Sequence, residues 1–410
     1  MERFFKKPQM MAKLRCGPLA SYLDEIAQEL QDDGYAASTA RFQIVVASDF
    51  SGWLEQESVH LQCISRQHAT TYMRYRDERR CASREEAEAA LNRLFEFLVR
   101  RQIIAEGGSA PKKEIEQIVD LFGTYLLEQR GLASRTVNGY QRFVLRFLRA
   151  ISTSEKFEPS CLCAANIFKF VQEQIPGHSG TKGRDTLNAI RAFLRFARYQ
   201  EYINTDLASI VPKVANWTLA SIPRALPADQ VDLVLDSCDR TTKNGKRDYA
   251  ILILLARLGL RVGEVASLCL EDIEWESGTI TVRGKTGPRV LPLPADVGEA
   301  LSQYLCQVRP QVKTRAIFIR LRAPVRAMKS QESFCAVVRR AMERAQIRSP
   351  KKGAHQFRHG LATELLRKGA SIPEIGEILG HQQQRSTMIY AKVDLKSLRK
   401  LAMKWPGGAL

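Results

Sequence analysis

The chain has 410 residues, 45% hydrophobic and 26% charged, which excludes large-scale disorder and gives room for two to four domains. Its 62 Lys and Arg against 44 Asp and Glu leave a net charge of +18, so the expected partner is a polyanion, nucleic acid first and an acidic membrane surface second. No apolar run is long enough for a membrane span; the most apolar, Tyr249 to Leu260, is short and contains Arg257.

The N-terminal Met1-Glu2-Arg3 carries no signal-peptide pattern, so a cytoplasmic location is expected. The nine cysteines are scattered, and only Cys161 and Cys163 stand close together. Neither a metal centre nor a disulfide framework is expected from that spacing.

Two linkers divide the chain. One is Glu106-Gly107-Gly108-Ser109-Ala110-Pro111, and the other runs from Pro212 to Pro227. They separate residues 1–110, 111–215 and 228–410, with 216–227 as a linker. Charge is uneven. Residues 1–110 hold 15 Lys and Arg against 16 Asp and Glu, residues 111–224 hold 16 against 10, and residues 225–410 hold 31 against 18. The polyanion should therefore meet the middle and C-terminal parts most.

The first two parts read as copies. Gly34-Tyr35-Ala36-Ala37-Ser38-Thr39 matches Gly131-Leu132-Ala133-Ser134-Arg135-Thr136. A helix-like run follows each, ending in Phe50, Trp53, Leu54 and in Phe147, Leu148, Ile151. Later, Leu91 to Leu98 resembles Ile190 to Ala197, and Ile103-Ile104 parallels Tyr202-Ile203. Apolar residues recur at three- and four-residue steps, which predicts two helical bundles.

The third part is mixed. Asp248 to Leu258 predicts an apolar helix stopped by Gly259, and Val262 to Leu268 a second helix. Thr279 to Arg283 alternates as a strand, Gly284 to Pro288 turns, and Arg289 to Leu293 returns. Ala316 to Arg320 is a candidate third strand. Helices resume at Gln331.

The residues that carry chemistry lie between Arg261 and Tyr390. Arg261 follows a helix-ending glycine, and Lys285 sits in the turn between two strands. Ala354-His355-Gln356-Phe357-Arg358-His359 opens a helix, with His355 and Arg358 on one face near an end that attracts anions. Ser371-Ile372-Pro373-Glu374 is a capping-box sequence with Pro in the first turn. That helix stops at Leu379-Gly380, His381 follows, and Tyr390 comes nine residues later.

This ordered set resembles the catalytic domain of the tyrosine recombinases, the phage integrase and Xer/Cre group, over roughly residues 225–400. The middle part resembles the family's core-binding domain, and residues 1–110 an additional core-binding-like module. The resemblance implies a mainly α fold: two helical (SAM-like, core-binding) bundles, then an α+β catalytic domain with a small antiparallel sheet. It also implies a site-specific recombinase of a mobile element, acting on double-stranded DNA in the bacterial cytoplasm. Its site would carry inverted repeats. Four protomers would hold two such sites and pass through a Holliday junction, with other recombinases of the same element as further partners.

In that reading Tyr390 attacks the phosphodiester and forms a 3′-phosphotyrosyl link, so no cofactor or metal is required. Arg261 and Arg358 clamp the non-bridging oxygens with charge-assisted hydrogen bonds. His381 adds another, His355 accepts the tyrosine proton or holds the phosphate, and Lys285 protonates the departing 5′-oxygen. Glu264 braces Arg261, and His359 is structural. The chain departs from the family at Gly360, often Thr, and in a shorter, less basic turn around Lys285; Lys246 is the next lysine to consider. The tail after Tyr390, with Val393, Leu395, Leu398, Leu401 and Trp405, is amphipathic and would dock on its own domain or a neighbour. Two rivals share the pattern: a type IB topoisomerase-like nicking and religating enzyme, and a dormant DNA-binding accessory protein.

Overall fold

A computed structural model describes residues 1–79, 83–104, 113–152, 156–174, 180–213, 225–284, 287–349 and 353–393. The chain is mainly helical with one small sheet. Among the described residues no helix is long and apolar enough to cross a membrane. It forms two compact units. One comprises Met1–Ser58, Ala82–Phe97 and Thr218–Leu410, and the other Val59–Cys81 and Leu98–Trp217.

The chain opens with α1 (Pro8–Leu14), α2 (Leu23–Asp32), α3 (Ala37–Gln56), α4 (Arg66–Glu78) and α5 (Arg84–Arg100). Ala40, Ile44, Ala47, Phe50 and Leu54 recur at helical spacing on α3 and are all buried. Then come α6 (Glu114–Glu128), α7 (Ser134–Ile151), α8 (Ala164–Gln174) and α9 (Gly180–Tyr199). These four close over an aromatic core in which Phe122 meets Phe193 edge-on, as Phe147 meets Phe170.

Backbone turns fall at the paired positions of the two helical parts. Gly34 and Gly131 both turn left-handed, at φ +74° and +59°, before α3 and α7. Gln102 and Glu201 do the same at φ +58° and +59°. Immediately after them, the Ile103 N–H donates to Leu98 O and the Tyr202 N–H to Ala197 O, each at 2.9 Å.

The C-terminal part begins with α10 (Ala228–Asp236), α11 (Lys243–Arg257) and α12 (Val262–Ser267). The second half of helix α11 is apolar on every side because it is surrounded: Ala250 to Leu255 are each at most 1% exposed. Strands β1 (Ile273–Glu274), β2 (Thr279–Gly284) and β3 (Gly287–Pro292) form an antiparallel sheet in that order. Pairing runs from Thr279 opposite Pro292 to Gly284 opposite Gly287.

The candidate third strand at Ala316 to Arg320 is not in this sheet. Ala316 and Ile319 make only isolated bridges, to Cys269 and Ala327, and the short β1 takes the third place. Then follow α13 (Ala295–Gln307), α14 (Gln331–Arg344), α15 (His355–Arg367), α16 (Ile372–Leu379) and α17 (Gln384–Thr387), with a 3-10 turn over Met388–Val393. The capping box at Ser371 forms as predicted: Ser371 N–H donates to Glu374 Oε2 at 2.7 Å, and Glu374 N–H donates to Ser371 Oγ at 3.4 Å. The amphipathic tail, apart from Val393's backbone, lies outside the described residues, as does most of the 216–227 linker.

Candidate active site

Three helix ends converge. Helix α11 stops at Gly259, whose φ of +59° reverses the chain and leads through buried Leu260 to Arg261, the residue before α12. Glu264, three residues on, is 3% exposed. Its carboxylate accepts from the Arg261 N–H at 2.9 Å and from Arg261 Nη1 at 2.8 Å. It also accepts from Arg289 on β3, Nη1 at 3.1 Å and Nη2 at 3.0 Å. Burial pushes the Glu264 carboxyl up, but hydrogen bonds from Arg289 and Arg261 outweigh it and hold the group below the usual carboxylate range.

Arg358 lies one turn into α15 and is 3% exposed. Nη1 donates to Gly259 O at 2.8 Å, just past the end of α11, and Nη2 to Leu379 O, the last carbonyl of α16, where the helix dipole favours a cation. Burial, and then the charge of Arg261, bring its pKa down to about 10, which leaves it protonated at neutral pH. Gly360, two residues on, has a steric reason: a Cβ there would stand 2.6 Å from Leu226 O, because the chain entering α10 crosses α15 at this point.

Gly380 ends α16 in the left-handed conformation, φ +62°, and aims His381 inward. The His381 Nδ1 lies 2.8 Å from Thr387 Oγ1, and its N–H donates to Gly376 O at 2.9 Å. Burial, helped by Arg358, Arg261 and Arg289, lowers its pKa to about 4. Its neutral ring can therefore accept from Thr387 at Nδ1 while Nε2–H remains a donor.

Tyr390 sits in the 3-10 turn after α17, 1% exposed, among Ala362, Ile375 and Leu379. Its hydroxyl is 2.9 Å from Nδ1 of His359. Burial raises the phenol above its ordinary value, although Arg358 and Arg261 pull the other way. His359 is lowered to about 4 by burial, then by His355 and Arg358. His355 is lowered too, by its surroundings and by Arg358 and Arg261, although its own ring is exposed. A cavity of about 640 Å³ opens here, lined by Arg261, Glu264, Gln331, His355 and His381 among others. Tyr390 does not line it.

The fold thus gathers Arg261, Glu264, His355, Arg358, His359, His381 and Tyr390. His359, expected to be structural, places its Nδ1 against the Tyr390 hydroxyl. Lys285 lies outside the described residues, between the paired Gly284 and Gly287. Lys246 donates to Gln307 on α13 and does not line the cavity. Sequence reading missed Arg289 and Thr387. The alternation of β3 gives Arg289 a face but no partner, and Thr387 offers only its closeness to Tyr390.

The sequence pattern of the phage integrase family matches residues 224–396. A Sinorhizobium fredii protein described as an integrase/recombinase, y4rA, is 44% identical over 395 residues, 96% of each chain. Tyrosine recombinase XerD of Listeria innocua is 29% identical over 287 residues, 68% of this chain and 95% of that one. The fold is shared with XerH site-specific recombinase in a post-cleavage complex with a palindromic difH substrate: TM-score 0.57, 21% identity, covering 72% of this chain and 98% of that one. With relatedness running nearly end to end and this arrangement of helix ends, the chain belongs to the phage integrase family of tyrosine recombinases, enzymes of site-specific recombination.

Proposed function

We propose that this recombinase is the integrase of a mobile element, cutting and rejoining double-stranded DNA through a 3′-phosphotyrosyl link to Tyr390. One observation carries the reading. A cavity lined by Arg261, His355 and His381 has the Arg358 guanidinium fixed beside it and the Tyr390 hydroxyl, bonded to the His359 ring, one ring behind. The description of the S. fredii relative supports the integrase role, and the DNA substrate of XerH supports DNA as the partner.

The scissile phosphate occupies the cavity. Arg261 and Arg358 bind its non-bridging oxygens; Arg358 spends two of its five N–H donors on carbonyls and keeps the rest. His381 Nε2–H and His355 add contacts. Tyr390 Oη attacks phosphorus, its proton passes to His359 or His355, and the P–O5′ bond breaks. The 5′-oxygen leaves with a proton from Lys285, and reversal of these steps seals the strand. Because the hydroxyl is buried, attack requires residues 384–393 to shift toward the cavity.

The parts are 1–110, 111–215 and 228–410, with 216–227 as linker. The repeated turns at Gly34 and Gly131 support the first two as copies. A tetramer on two DNA sites, each with inverted repeats, is the working assembly, with other recombinases of the same element as partners.

Capture tests the reading. The protein is mixed with a random pool of nicked duplexes, and DNA that survives denaturation attached to protein is sequenced. The expected result is a defined site with inverted repeats, attached at Tyr390. Loss of the reading follows if no duplex is captured, or if Tyr390→Phe captures as well as wild type.

A further inference from the structure

We propose that Arg289 is a positioning residue of the strand-transfer site: it holds Glu264 and offsets its charge, so that Arg261 keeps its own charge for the phosphate. The inference rests on the cavity being a DNA-cleavage site.

Glu264 is almost fully enclosed, 3% exposed, and the Arg289 side chain is 13% exposed. Each Glu264 oxygen takes one hydrogen bond from Arg289, at 3.1 and 3.0 Å, and one from Arg261, at 2.8 and 2.9 Å. Glycines close the pair in. A Cβ at Gly284 would lie 2.9 Å from Glu264 Oε1, and one at Gly380 would strike the Arg289 guanidinium. Arg289 Nε is buried with no hydrogen-bond partner among the described residues, so the side chain is held by Glu264 rather than by a shell of its own.

Charge decides what this does. A buried carboxylate paired with Arg261 alone would cancel the guanidinium meant for the phosphate. With Arg289 present, two guanidiniums share the one carboxylate, and with Arg358 counted two positive charges remain around the phosphate position. A phosphodiester carries one negative charge, and its pentacoordinate transition state gathers a second. The surplus therefore matches the transition state better than the ground state, which is the condition for acceleration. Arg289 does this from behind Glu264, without touching DNA.

The test uses the full-length protein and a captured duplex made in two forms, with an ordinary scissile phosphate and with a methylphosphonate, which carries one negative charge fewer. Covalent adduct formation is timed. Arg289→Met should slow it about ten- to a hundredfold on ordinary DNA, the scale for groups that orient rather than touch. Most of that loss should vanish on the methylphosphonate. Adding Glu264→Gln should make the double variant faster than Arg289→Met alone, because the uncompensated carboxylate is gone. A purely structural role would slow both substrates equally and gain nothing from Glu264→Gln; either result overturns the proposal. If Arg289→Met does not fold, Arg289→Lys is read on the same substrates, with a smaller loss of the same pattern expected and an equal loss on both overturning it. A wild-type protein that captures no duplex brings down the cleavage reading itself, and this inference with it; wild-type capture with an unimpaired Arg289→Met overturns this inference alone.

Discussion

The Tyr390 hydroxyl and Nδ1 of His359 are 2.9 Å apart, and the tyrosine that would attack DNA is 1% exposed. The contact separates two histidines that sequence reading could rank only by motif position. Tyr390→Phe should still bind DNA but form no adduct, since one oxygen is removed. If His359 takes the tyrosine proton, His359→Phe should slow adduct formation by about 10²–10⁴, the usual span for a general base. A wild-type rate for His359→Phe, with a large loss in His355→Phe, returns that role to His355.

Acid should loosen the site before it touches the carboxylates. His359 and His381 have pKa values near 4 in the fold, against 6.5 in an open chain. Between those values the unfolded chain holds more protons than the folded one. Stability is therefore full above about pH 6.5 and falls as the pH drops toward about 4, by at most about 1.4 kcal/mol per pH unit for each ring. Melting temperature measured across this window should fall, and His359→Phe should flatten the slope. An unchanged slope in that variant means His359 does not titrate as a buried neutral ring.

What was legible in the sequence was local. The stop at Gly259, the cap at Ser371 and the break at Gly380 are signalled by residues adjacent to the structures they make. The alternation of Thr279 to Arg283 likewise gave a strand and its return. Ala316 to Arg320 shows why the third strand was missed: an apolar stretch does not reveal whether a ladder partner lies beside it, and here only isolated bridges do. Arg289 was invisible for a related reason. Its partner Glu264 is 25 residues away, and only the folded hairpin brings the two together. Gly360 read as a departure from the family, yet the crossing of Leu226 accounts for it.

Gly380→Ala should separate shape from chemistry. Its φ of +62° makes any side chain there unfavourable by about 1 kcal/mol. Gly131, φ +59°, has nothing within 4 Å of an added Cβ, so Gly131→Ala should show that cost and nothing more. At Gly380 the Cβ meets the Arg289 guanidinium. Gly380→Ala should therefore lose more stability than Gly131→Ala and also cleave more slowly. Equal melting temperatures and equal cleavage in the two variants would remove the argument for tight closure around Arg289.

The last prediction concerns the N-terminal helices, whose residues 1–110 carry 15 Lys and Arg against 16 Asp and Glu. A bundle that grips a run of phosphates should carry a cationic surplus, so this one is expected to contact protein. Within its own compact unit, the turn after α2 meets the loop at Val325. Val325 N–H donates to Asp33 O at 2.8 Å, and Tyr35 lies under the Arg93 guanidinium at 4.9 Å, with Arg320 and Arg326 close enough to act on its phenol. Gly34 makes this possible. Its φ is +74°, and a Cβ would stand 2.9 Å from Val325 Cγ2. Gly34→Val should therefore push the turn off the Val325 loop and lower the melting temperature, while affinity for a single DNA site stays unchanged. Arg74 and Arg76 on α4, Arg79 just after it and Arg80, which lies outside the described residues, are the rival DNA contacts. Replacing those four with Ser should leave single-site affinity within tenfold, about 1.4 kcal/mol, of wild type. A larger drop, together with a shortened footprint, would make this module a DNA reader, with its local cations outweighing its near-zero net charge.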